Sequence, residues 1–299
     1  MKFFQKTPDF DIMGKRKFAV VLSICLFALG GYGLASSGIH YGIDFKGGTI
    51  VQAKFTGQPP LSGVRSTLGS ALGQQVNVTT FGEDVENEIL ITLPQEALVD
   101  KGLNLQASLG KILTDNFPSF TEIRRVETVG PKVGAELKTK ALEAALYALV
   151  GILLYISVRF KFHFAIASVA ALFHDVIVTM GIFVLMEKDF TLTIVAALLT
   201  IIGYSLNDTI VVFDRIRENI ARMPKSPLKS TINLSINESL SRTILTSVTT
   251  FLVVLALFLL GGEIIHDFCF AMLIGLVVGT YSSVFVASPV VMLLDRFNR

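Results

Sequence analysis

The feature that most constrains this 299-residue chain is a set of six long apolar runs. A helix needs about 20 mostly apolar residues to cross roughly 30 Å of hydrocarbon. Segments of about this length lie at residues 18–36, 141–158, 164–186, 191–213, 242–260 and 268–294. Charged residues make up 17% of the chain and apolar residues 52%, whereas a soluble domain has about 25% charged residues. The sequence therefore predicts an α-helical membrane protein with six transmembrane helices.

The composition excludes several other classes of protein. A formal net charge of +2 gives no indication of nucleic-acid binding. The two cysteines, Cys25 and Cys269, lie in apolar runs and have neither the spacing of a disulfide framework nor that of a metal site. We therefore expect no metal, no cofactor and no nucleic-acid partner.

The placement of Lys and Arg predicts the orientation of the helices, because positively charged short loops stay in the cytoplasm. The tail at residues 1–17 and the loop and amphipathic segment at 214–241 are rich in these residues. Both termini are therefore expected in the cytoplasm, and the segment at 39–137 on the outer side of the membrane. An alternative for 18–36 is a cleaved signal peptide, but its 19 residues exceed the roughly 7 to 15 of a signal h-region.

The segment at residues 39–137 lacks an apolar run of membrane length. Its hydrophobic pattern switches between period two, typical of strands, and helical spacing. The order is βαββαβ, with strands at residues 49–55, 76–81, 89–93 and 121–129 and helices at 61–72 and 97–116. This order predicts an α+β, ferredoxin-like domain whose two helices cover one face of an antiparallel sheet. The other face is left for solvent or a partner.

Three charged residues stand out in the predicted membrane helices, where a charge at mid-bilayer costs about 2.5 to 3.5 kcal/mol on insertion scales, whereas Glu143 lies near the end of its span. Asp175 follows His174 about 18 Å from the cytoplasmic end of the third helix, near the membrane midplane. Asp208 lies in the fourth apolar run and Arg242 at the start of the fifth. Asp175 has two interpretations, a functional carboxyl group or a neutral one that packs against a neighbouring helix. His174 also has two interpretations. Either it lies beside the group that hydrogen-bonds to Asp175, or it serves only as a structural hydrogen-bond donor.

Asp208 and Arg242 are each 17 residues from Lys225, in the predicted turn between the fourth and fifth helices. Equal distances from the turn of an antiparallel hairpin give equal depth, so we expect the acid and the base to face each other inside the membrane. Small and hydroxyl-bearing residues that suit close packing or a proton path accompany them: Gly203, Ser205, Asn207, Thr243, Thr246, Ser247 and Thr250. A static salt bridge is the alternative. In the sixth run, Gly275 and Gly279 form a G-x-x-x-G pattern that indicates helix packing.

A carboxyl group beside a movable arginine is typical of a proton-coupling device. Apolar surroundings favour the neutral form of a carboxyl group, whereas a nearby guanidinium favours the charged form. Movement of Arg242 would therefore switch the proton affinity of Asp208. One elementary charge crossing 100 mV supplies about 2.3 kcal/mol, enough to bias an element with two states.

Several strings along the chain resemble the SecF family of protein-export membrane proteins. They are GIDFKGG at residues 42–48, FHD at 173–175, GYSLNDTIVVFDRIREN at 203–219 and NESLSRTILTSVTT at 237–250. The helix count and the single external domain also match that family, so the resemblance covers essentially the whole chain. It implies an inner-membrane subunit of bacterial protein export that works with SecD and the SecYEG channel and is related in architecture to RND transporters.

The resemblance also implies roles for individual residues. Asp208 matches the family's proton-relay carboxylate and Arg242 its partner, while Asp175 lies in a family motif with a less defined role. The family's motif at the junction of membrane and external domain, where glycines suit a hinge, is matched by Asp44, Lys46, Gly47, Gly48 and Thr49. A phosphate-binding loop is not indicated there, because the lysine precedes the glycines. In that family, proton-driven movements of the external domains act on the emerging unfolded polypeptide.

We therefore predict a proton-coupled, non-enzymatic subunit of a translocation complex in the bacterial inner membrane, with its external domain in the periplasm. Two alternatives remain. One is half of an RND-type transporter for a small molecule or lipid. The other is a structural scaffold in which the ion pair only fixes helix packing, and such a scaffold tolerates Asp208→Asn in export.

Overall fold

The computed structural model describes residues 7–74, 76–81, 87–94 and 105–297. The chain divides into two compact units. The helical unit comprises Met1–His40, Ala144–Asp189 and Thr193–Arg299, and the mixed unit comprises Tyr41–Glu143 with Phe190–Leu192. The first eight residues of the helix predicted at 97–116 lie outside the described part of the chain.

Ten α-helices occur in the described residues. They are α1 Arg16–Ser36, α2 Ile43–Lys46, α3 Leu61–Leu72, α4 Leu105–Asn116, α5 Pro131–Arg159, α6 Phe162–Leu185, α7 Leu192–Arg222, α8 Leu228–Leu260, α9 Glu263–Ser282 and α10 Ser288–Phe297. A π-helical turn, Ser283–Ala287, joins α9 to α10. Six helical segments are long and apolar enough to cross a membrane, namely α1, α5, α6, α7, α8 and the continuous segment from α9 to α10. The predicted six-helix membrane fold is confirmed.

Two of these helices begin well before the apolar runs that predicted them. α5 begins at Pro131 rather than at residue 141, and α8 begins at Leu228 rather than at residue 242. Proline suits the first helical position, because the N–H group it lacks has no partner there in any helix. Hydropathy detects only the apolar part of a helix, so the polar turns at these helix starts lie outside the predicted spans.

The last membrane segment is not one regular α-helix. The π-helical turn Ser283–Ala287 interrupts it, and Pro289 follows in the first turn of α10. Proline cannot donate to the carbonyl group four residues before it, here that of Phe285, and its ring crowds that group. The Oγ of Ser288, the residue before Pro289, donates to the carbonyl oxygen of Ser283 at 3.2 Å. The wider turn therefore accommodates Pro289 within a continuous span.

The mixed unit contains a four-stranded sheet. Its strands are β1 Gly48–Phe55, β2 Asn77–Phe81, β3 Glu88–Leu93 and β4 Phe120–Val129. The strand order is β2-β3-β1-β4, and every neighbouring pair is antiparallel. This is the arrangement of the ferredoxin-like fold, with α3 after β1 and α4 after β3. The ferredoxin-like fold predicted for residues 39–137 is confirmed.

One face of this sheet packs against α3 and α4. Val51, in the middle of β1, pairs with Ile91 of β3 and Val126 of β4 and is fully buried. The core combines alternate residues of β1 and β3 with apolar residues of the two helices: Val51, Ala53, Phe55, Ile89, Ile91, Leu93, Val64, Leu68, Leu109 and Leu113. The period-two and helical patterns of the sequence therefore correspond to buried faces that meet.

In the helical unit, the backbones of α1 and α6 come close together at two glycines, Gly30 and Gly181. A Cβ atom on Gly181 would lie 2.0 Å from the Cα atom of Gly30. A Cβ atom on Gly30 would lie 2.8 Å from the carbonyl oxygen of Ile177. Because the contacting atoms belong to the backbone, neither position has room for a larger side chain.

The segment before α1 is held against α8 by two asparagines one helical turn apart. Asn233 Oδ1 accepts hydrogen bonds from the backbone N–H groups of Ile12 and Met13, at 2.8 and 3.1 Å. Asn237 Oδ1 accepts one from the N–H group of Phe10 at 3.0 Å, and both side-chain amides donate to the Phe10 carbonyl oxygen. From Phe10 onwards, the predicted cytoplasmic tail is therefore a structural part of the helical unit.

Candidate functional site

Asp175 lies at the centre of a buried polar cluster in the helical unit, and none of its surface is exposed. Its Oδ2 accepts hydrogen bonds from Ser205 Oγ of α7 at 2.5 Å and from Ser282 Oγ of α9 at 2.7 Å. Its Oδ1 lies 3.0 Å from Nδ1 of His174, the preceding residue of α6. The carboxyl group of Asp175 therefore connects three helices of the bundle.

His174 is almost as buried as Asp175, with 6% of its surface exposed. Its Nδ1 contacts Asp175 directly, whereas its Nε2 has no hydrogen-bond partner among the residues that the structure describes. The imidazole ring lies 6.2 Å from the ring of Tyr281 of α9. The His174–Asp175 pair therefore leaves one ring nitrogen with spare hydrogen-bonding capacity.

Asp208 lies one helical turn after Ser205 on α7 and is also buried, with 2% of its surface exposed. Its Oδ2 accepts a hydrogen bond from Ser247 Oγ of α8 at 3.3 Å. Ser247 Oγ in turn lies 2.8 Å from Thr280 Oγ1 of α9. Hydroxyl groups therefore connect Asp208 to two neighbouring helices, as they do for Asp175.

Close packing of α9 on α7 brings the hydroxyl groups of α9, those of Thr280 and Ser282, near the two buried carboxyl groups. A Cβ atom on Gly275 would lie 2.3 Å from the Ile201 side chain, and a Cβ atom on Gly279 would lie 3.0 Å from Cβ of Ser205. The packing role predicted for this G-x-x-x-G pair is confirmed. Ser282, three residues after Gly279, donates to Asp175 of α6.

Arg242 does not form the predicted direct pair with Asp208. The arginine is exposed, no described residue forms an ion pair with it, and its charge acts on Asp208 only at longer range. Both arms of the hairpin are helical, as the prediction requires. Arg242 and Ser247 are five residues apart on α8, however, so their side chains point about 140° apart around the helix. Ser247, rather than Arg242, therefore faces Asp208.

The polar residues that were predicted to support this pair occupy different environments. Ser205 bonds to Asp175, and Ser247 bonds to the other buried carboxyl group. Thr246 Oγ1 donates to carbonyl groups of its own helix at 3.0 Å. Asn207 is exposed. Two of the four predicted residues thus contact a carboxyl group.

The predicted hinge motif begins with the short helix α2 in the mixed unit. Asp44 Oδ2 accepts a hydrogen bond from the N–H group of Leu192 at 2.9 Å. The ring of Phe45 stacks on that of Phe190, with 5.7 Å between centroids. Lys46 is exposed. These contacts fix α2 to the segment Phe190–Leu192 of the same unit.

The two glycines of the motif have backbone conformations that favour glycine. Gly47 has φ of 77° and Gly48 has φ of 143°. A Cβ atom on Gly48 would also lie 2.7 Å from the carbonyl oxygen of Leu93 in β3. Thr49 Oγ1 lies 2.8 Å from Thr128 Oγ1 of β4. The motif therefore starts β1 at a place where the backbone turns sharply.

Asn219 is a buried polar residue that sequence reasoning did not single out. Its surface is fully buried, and its Nδ2 donates to Ser235 Oγ at 3.0 Å and to Glu238 Oε2 at 2.8 Å. These bonds join α7 to α8 near the turn between them. Both Asn219 and Glu238 belong to the strings that resemble the SecF family, and this resemblance was the one sequence feature that could have indicated them.

The hydrogen-bond partners of the two buried carboxyl groups limit the chemistry that these groups can perform. Within the described ranges, no three His, Cys, Asp or Glu side chains are grouped so that they could hold a metal ion. The two buried carboxyl groups have serine hydroxyls as partners, and a hydroxyl group can both donate and accept a hydrogen bond. The site can therefore hold each carboxyl group with or without its proton.

The chain matches the family described as protein export membrane protein SecD/SecF, C-terminal, over residues 109–296, and the SecD/SecF GG motif over residues 32–58. It is 47% identical to the protein translocase subunit SecF of Magnetococcus marinus, over 100% of this chain and 96% of that protein. Identity to SecF of Calditerrivibrio nitroreducens is 43%, over 100% and 98% of the two chains.

A solved structure is also similar. The crystal structure of SecDF, a translocon-associated membrane protein from Thermus thermophilus, matches 98% of this chain with a TM-score of 0.84 and 37% sequence identity. This chain spans 39% of the length of that SecDF chain. The GG motif match includes α2 and the glycines that follow it, and the C-terminal match includes both buried carboxyl groups. With matches of this length and identity, the chain belongs to the SecF family of protein translocase subunits.

Proposed function

We propose that this chain is a subunit that uses the proton motive force to assist protein translocation across the bacterial inner membrane, together with SecD and the SecYEG channel. The observation that carries the proposal is the presence of two buried carboxyl groups, Asp175 and Asp208, in membrane-spanning helices. Ionisable groups at such positions are costly and mark ion or proton pathways. The relatives, which are named as translocase subunits, support the role in export.

The partners of both carboxyl groups suit repeated gain and loss of a proton. A serine hydroxyl donates to a charged carboxylate and accepts from a protonated one. Ser205 and Ser282 therefore satisfy Asp175 in either state, and Ser247 does the same for Asp208. Because these serines belong to other helices, each change of protonation would reverse the direction of a hydrogen bond between helices.

The exposed position of Arg242 supports a partner subunit at this face of the bundle. Arg242 on α8 and Asn207 on α7 are exposed within membrane-spanning helices. Contact with lipid would be costly for these groups, above all for the arginine. We infer that SecD, which is joined to SecF in the SecDF relative, covers this face and supplies a counter-charge for Arg242. Relative movement of the two subunits would then bring Arg242 towards Asp208.

Coupling to export requires that proton exchange moves the external domain. The mixed unit begins at Tyr41, and the motif of Asp44, Lys46, the Gly47–Gly48 pair and Thr49 follows within its first residues. We infer that this motif is the hinge of that movement. The free face of the sheet would contact the emerging unfolded polypeptide or SecD.

The charge distribution supports an orientation with both termini in the cytoplasm and the mixed unit in the periplasm. Arg159 and Lys161 flank the turn between α5 and α6, and Arg222 and Lys225 flank the turn between α7 and α8. The turn between α8 and α9, Gly261 and Gly262, contains neither Lys nor Arg. Short loops with positive charge stay on the cytoplasmic side.

The test replaces Asp208 by Asn in membrane vesicles that contain the complete translocation complex. Asparagine keeps an oxygen that accepts the Ser247 bond, but it cannot bind and release a proton. We expect the part of export that depends on a proton gradient to disappear, while export without a gradient is unchanged.

Asp214→Asn is the matched control, because Asp214 also lies on α7 but is partly exposed and paired with Arg159 at 3.2 Å. It should export like the wild type with and without the gradient. If Asp208→Asn responds to the gradient as the wild type does, the carboxyl group serves only helix packing, and the scaffold alternative holds.

A further inference from the structure

An apolar groove of about 560 Å³ runs along one side of α1, within the helical unit. Val20, Ile24 and Phe27 form its α1 wall, at helical spacing, and are 43%, 62% and 40% exposed. The opposite wall belongs to the π-helical turn and α10 and includes Phe285, Val290 and Leu293. A surface of this kind on a membrane-spanning helix faces acyl chains.

The shape of the groove follows from the interruption of the last membrane segment. Pro289 lies in the groove wall, and the π-helical turn that accommodates it displaces Phe285 and Val286 from a regular α-helical register. In a regular α-helix, the side chains that face α1 would follow one another at a constant spacing. The proline therefore forms part of a built cleft, and π-helical turns of this kind are frequent at functional sites.

Arg16 lies at one end of this groove. It is the first of the 21 residues of α1, and 21 residues of helix span about 30 Å, the thickness of the hydrocarbon core. Arg16 is therefore at the level of lipid headgroups, while the groove extends to the depth of acyl chains. Its Nη1 lies 3.6 Å from the Met292 sulfur, a weak acceptor. No carboxylate among the described residues pairs with this guanidinium, so its other donors can bind an anion.

His174 also lines the groove, and its Nε2 has no hydrogen-bond partner within the described part of the chain. The other polar side chain of the wall, Ser23, is satisfied by a hydrogen bond with the Tyr281 hydroxyl at 2.9 Å. The groove is open, and its walls are mostly apolar and belong to membrane-spanning helices, so acyl chains rather than water are its natural occupant. An acyl chain in the groove would keep the His174–Asp175 pair away from water.

We propose that this groove binds an anionic phospholipid, with its phosphate group on Arg16 and one acyl chain along α1. Arginine binds phosphate through two parallel hydrogen bonds, and basic residues next to membrane helices recognise anionic headgroups. A soluble anion would use only the guanidinium, whereas a phospholipid also uses the apolar wall.

The test uses the absence of tryptophan from the sequence. The full-length chain with Phe27→Trp is reconstituted into vesicles that contain brominated phosphatidylglycerol or brominated phosphatidylcholine, and quenching of the single tryptophan gives the relative affinity of the two lipids. We expect about a fivefold preference for phosphatidylglycerol, the effect of one basic residue at the membrane surface. Leu252→Trp, an exposed position on α8, should show no preference.

Charge variants in the Phe27→Trp background identify the headgroup contact. Arg16→Gln should remove the preference and Arg16→Lys should keep most of it. Lys17→Gln, which removes the same charge from the next residue, should leave it unchanged. The preference persisting in Arg16→Gln would overturn the proposal. Loss of the preference in excess inorganic phosphate at constant ionic strength would also overturn it, because that result indicates a site for free anions. An absence of quenching by either lipid would overturn it as well, because that result indicates that protein fills the groove.

Discussion

Serine hydroxyls determine the environment of the two buried carboxyl groups. Asp175 has no lysine or arginine partner within the described residues, and its contacts are Ser205, Ser282 and His174. Hydrogen bonds between membrane helices contribute about 0.6 kcal/mol on average and up to about 1.7 kcal/mol. Removal of one serine hydroxyl from this network should therefore change the free energy of unfolding by a measurable amount.

We predict that Ser282→Ala lowers the free energy of unfolding by about 0.6 to 1.7 kcal/mol. The change removes the bond of 2.7 Å to Asp175 and leaves Ser205 as the hydroxyl donor to the same oxygen. Unfolding of the purified protein in detergent measures the difference. Ser230→Ala, at an exposed position near the start of α8, is the control and should match the wild type. Equal stability of both variants would show that Asp175 does not depend on Ser282.

For individual residues, the sequence predicted burial better than it predicted contact. Membrane-length runs placed Asp175 and Asp208 inside the bilayer. The partner of Asp208, however, depends on how α8 is rotated about its own axis, and rotation is set by packing against α7 and α9. The five residues between Arg242 and Ser247 correspond to about 140° around the helix, and a count of residues from the turn carries no information about that angle.

Among the helices, the contact between α1 and α6 has the least room for change. Gly30 and Gly181 bring the two backbones together, and van der Waals packing is the main attraction between helices in lipid. Gly151 of α5 is a natural comparison, because a Cβ atom there would meet nothing within 4 Å.

We predict that Gly181→Ala destabilises the protein, because the new methyl group would overlap the backbone of α1. Gly151→Ala should be neutral or stabilise by up to about 1 kcal/mol, since alanine has the higher helix propensity. Thermal unfolding in detergent compares the two variants. If Gly181→Ala were as stable as Gly151→Ala, the close contact between α1 and α6 would not contribute to the stability of the protein.

The elements themselves were largely predictable, and their irregularities were not. The βαββαβ order followed from the switch between period two and helical spacing. The π-helical turn was missed, although Pro289 was a visible signal, because proline inside an apolar run does not reveal how the helix adapts. The attachment of residues 10–13 to Asn233 and Asn237 joins segments more than 200 residues apart, and no local pattern predicts such a contact.

For the whole molecule, orientation in the membrane is the prediction that most limits function. A single cysteine at Ser70, an exposed position of α3, is placed in a chain without Cys25 and Cys269. We expect a thiol reagent that cannot cross membranes to label Ser70→Cys from the periplasmic side. Ser226→Cys, in the turn between α7 and α8, should react only after the membrane is opened. Labelling of Ser70→Cys from the cytoplasmic side alone would contradict the orientation.

The whole chain is also expected to depend on a second membrane subunit. It spans 39% of the SecDF chain that it resembles, and its Arg242 is exposed in a membrane-spanning helix without an ion pair among the described residues. The sequence predicted the need for a partner through its family resemblance. The surface that we propose for this partner could be located only from the structure, which shows that Arg242 lies on the side of α8 turned away from Asp208.

Proton flux through the purified complex of this chain with SecD, reconstituted into liposomes, tests the central claim most directly. A dye inside the liposomes reports the internal pH after a proton gradient is imposed. We predict that the wild type and Asp214→Asn conduct protons faster than empty liposomes, and that Asp208→Asn conducts at the rate of empty liposomes. A flux through Asp208→Asn equal to that of the wild type would contradict a role for this carboxyl group in carrying protons.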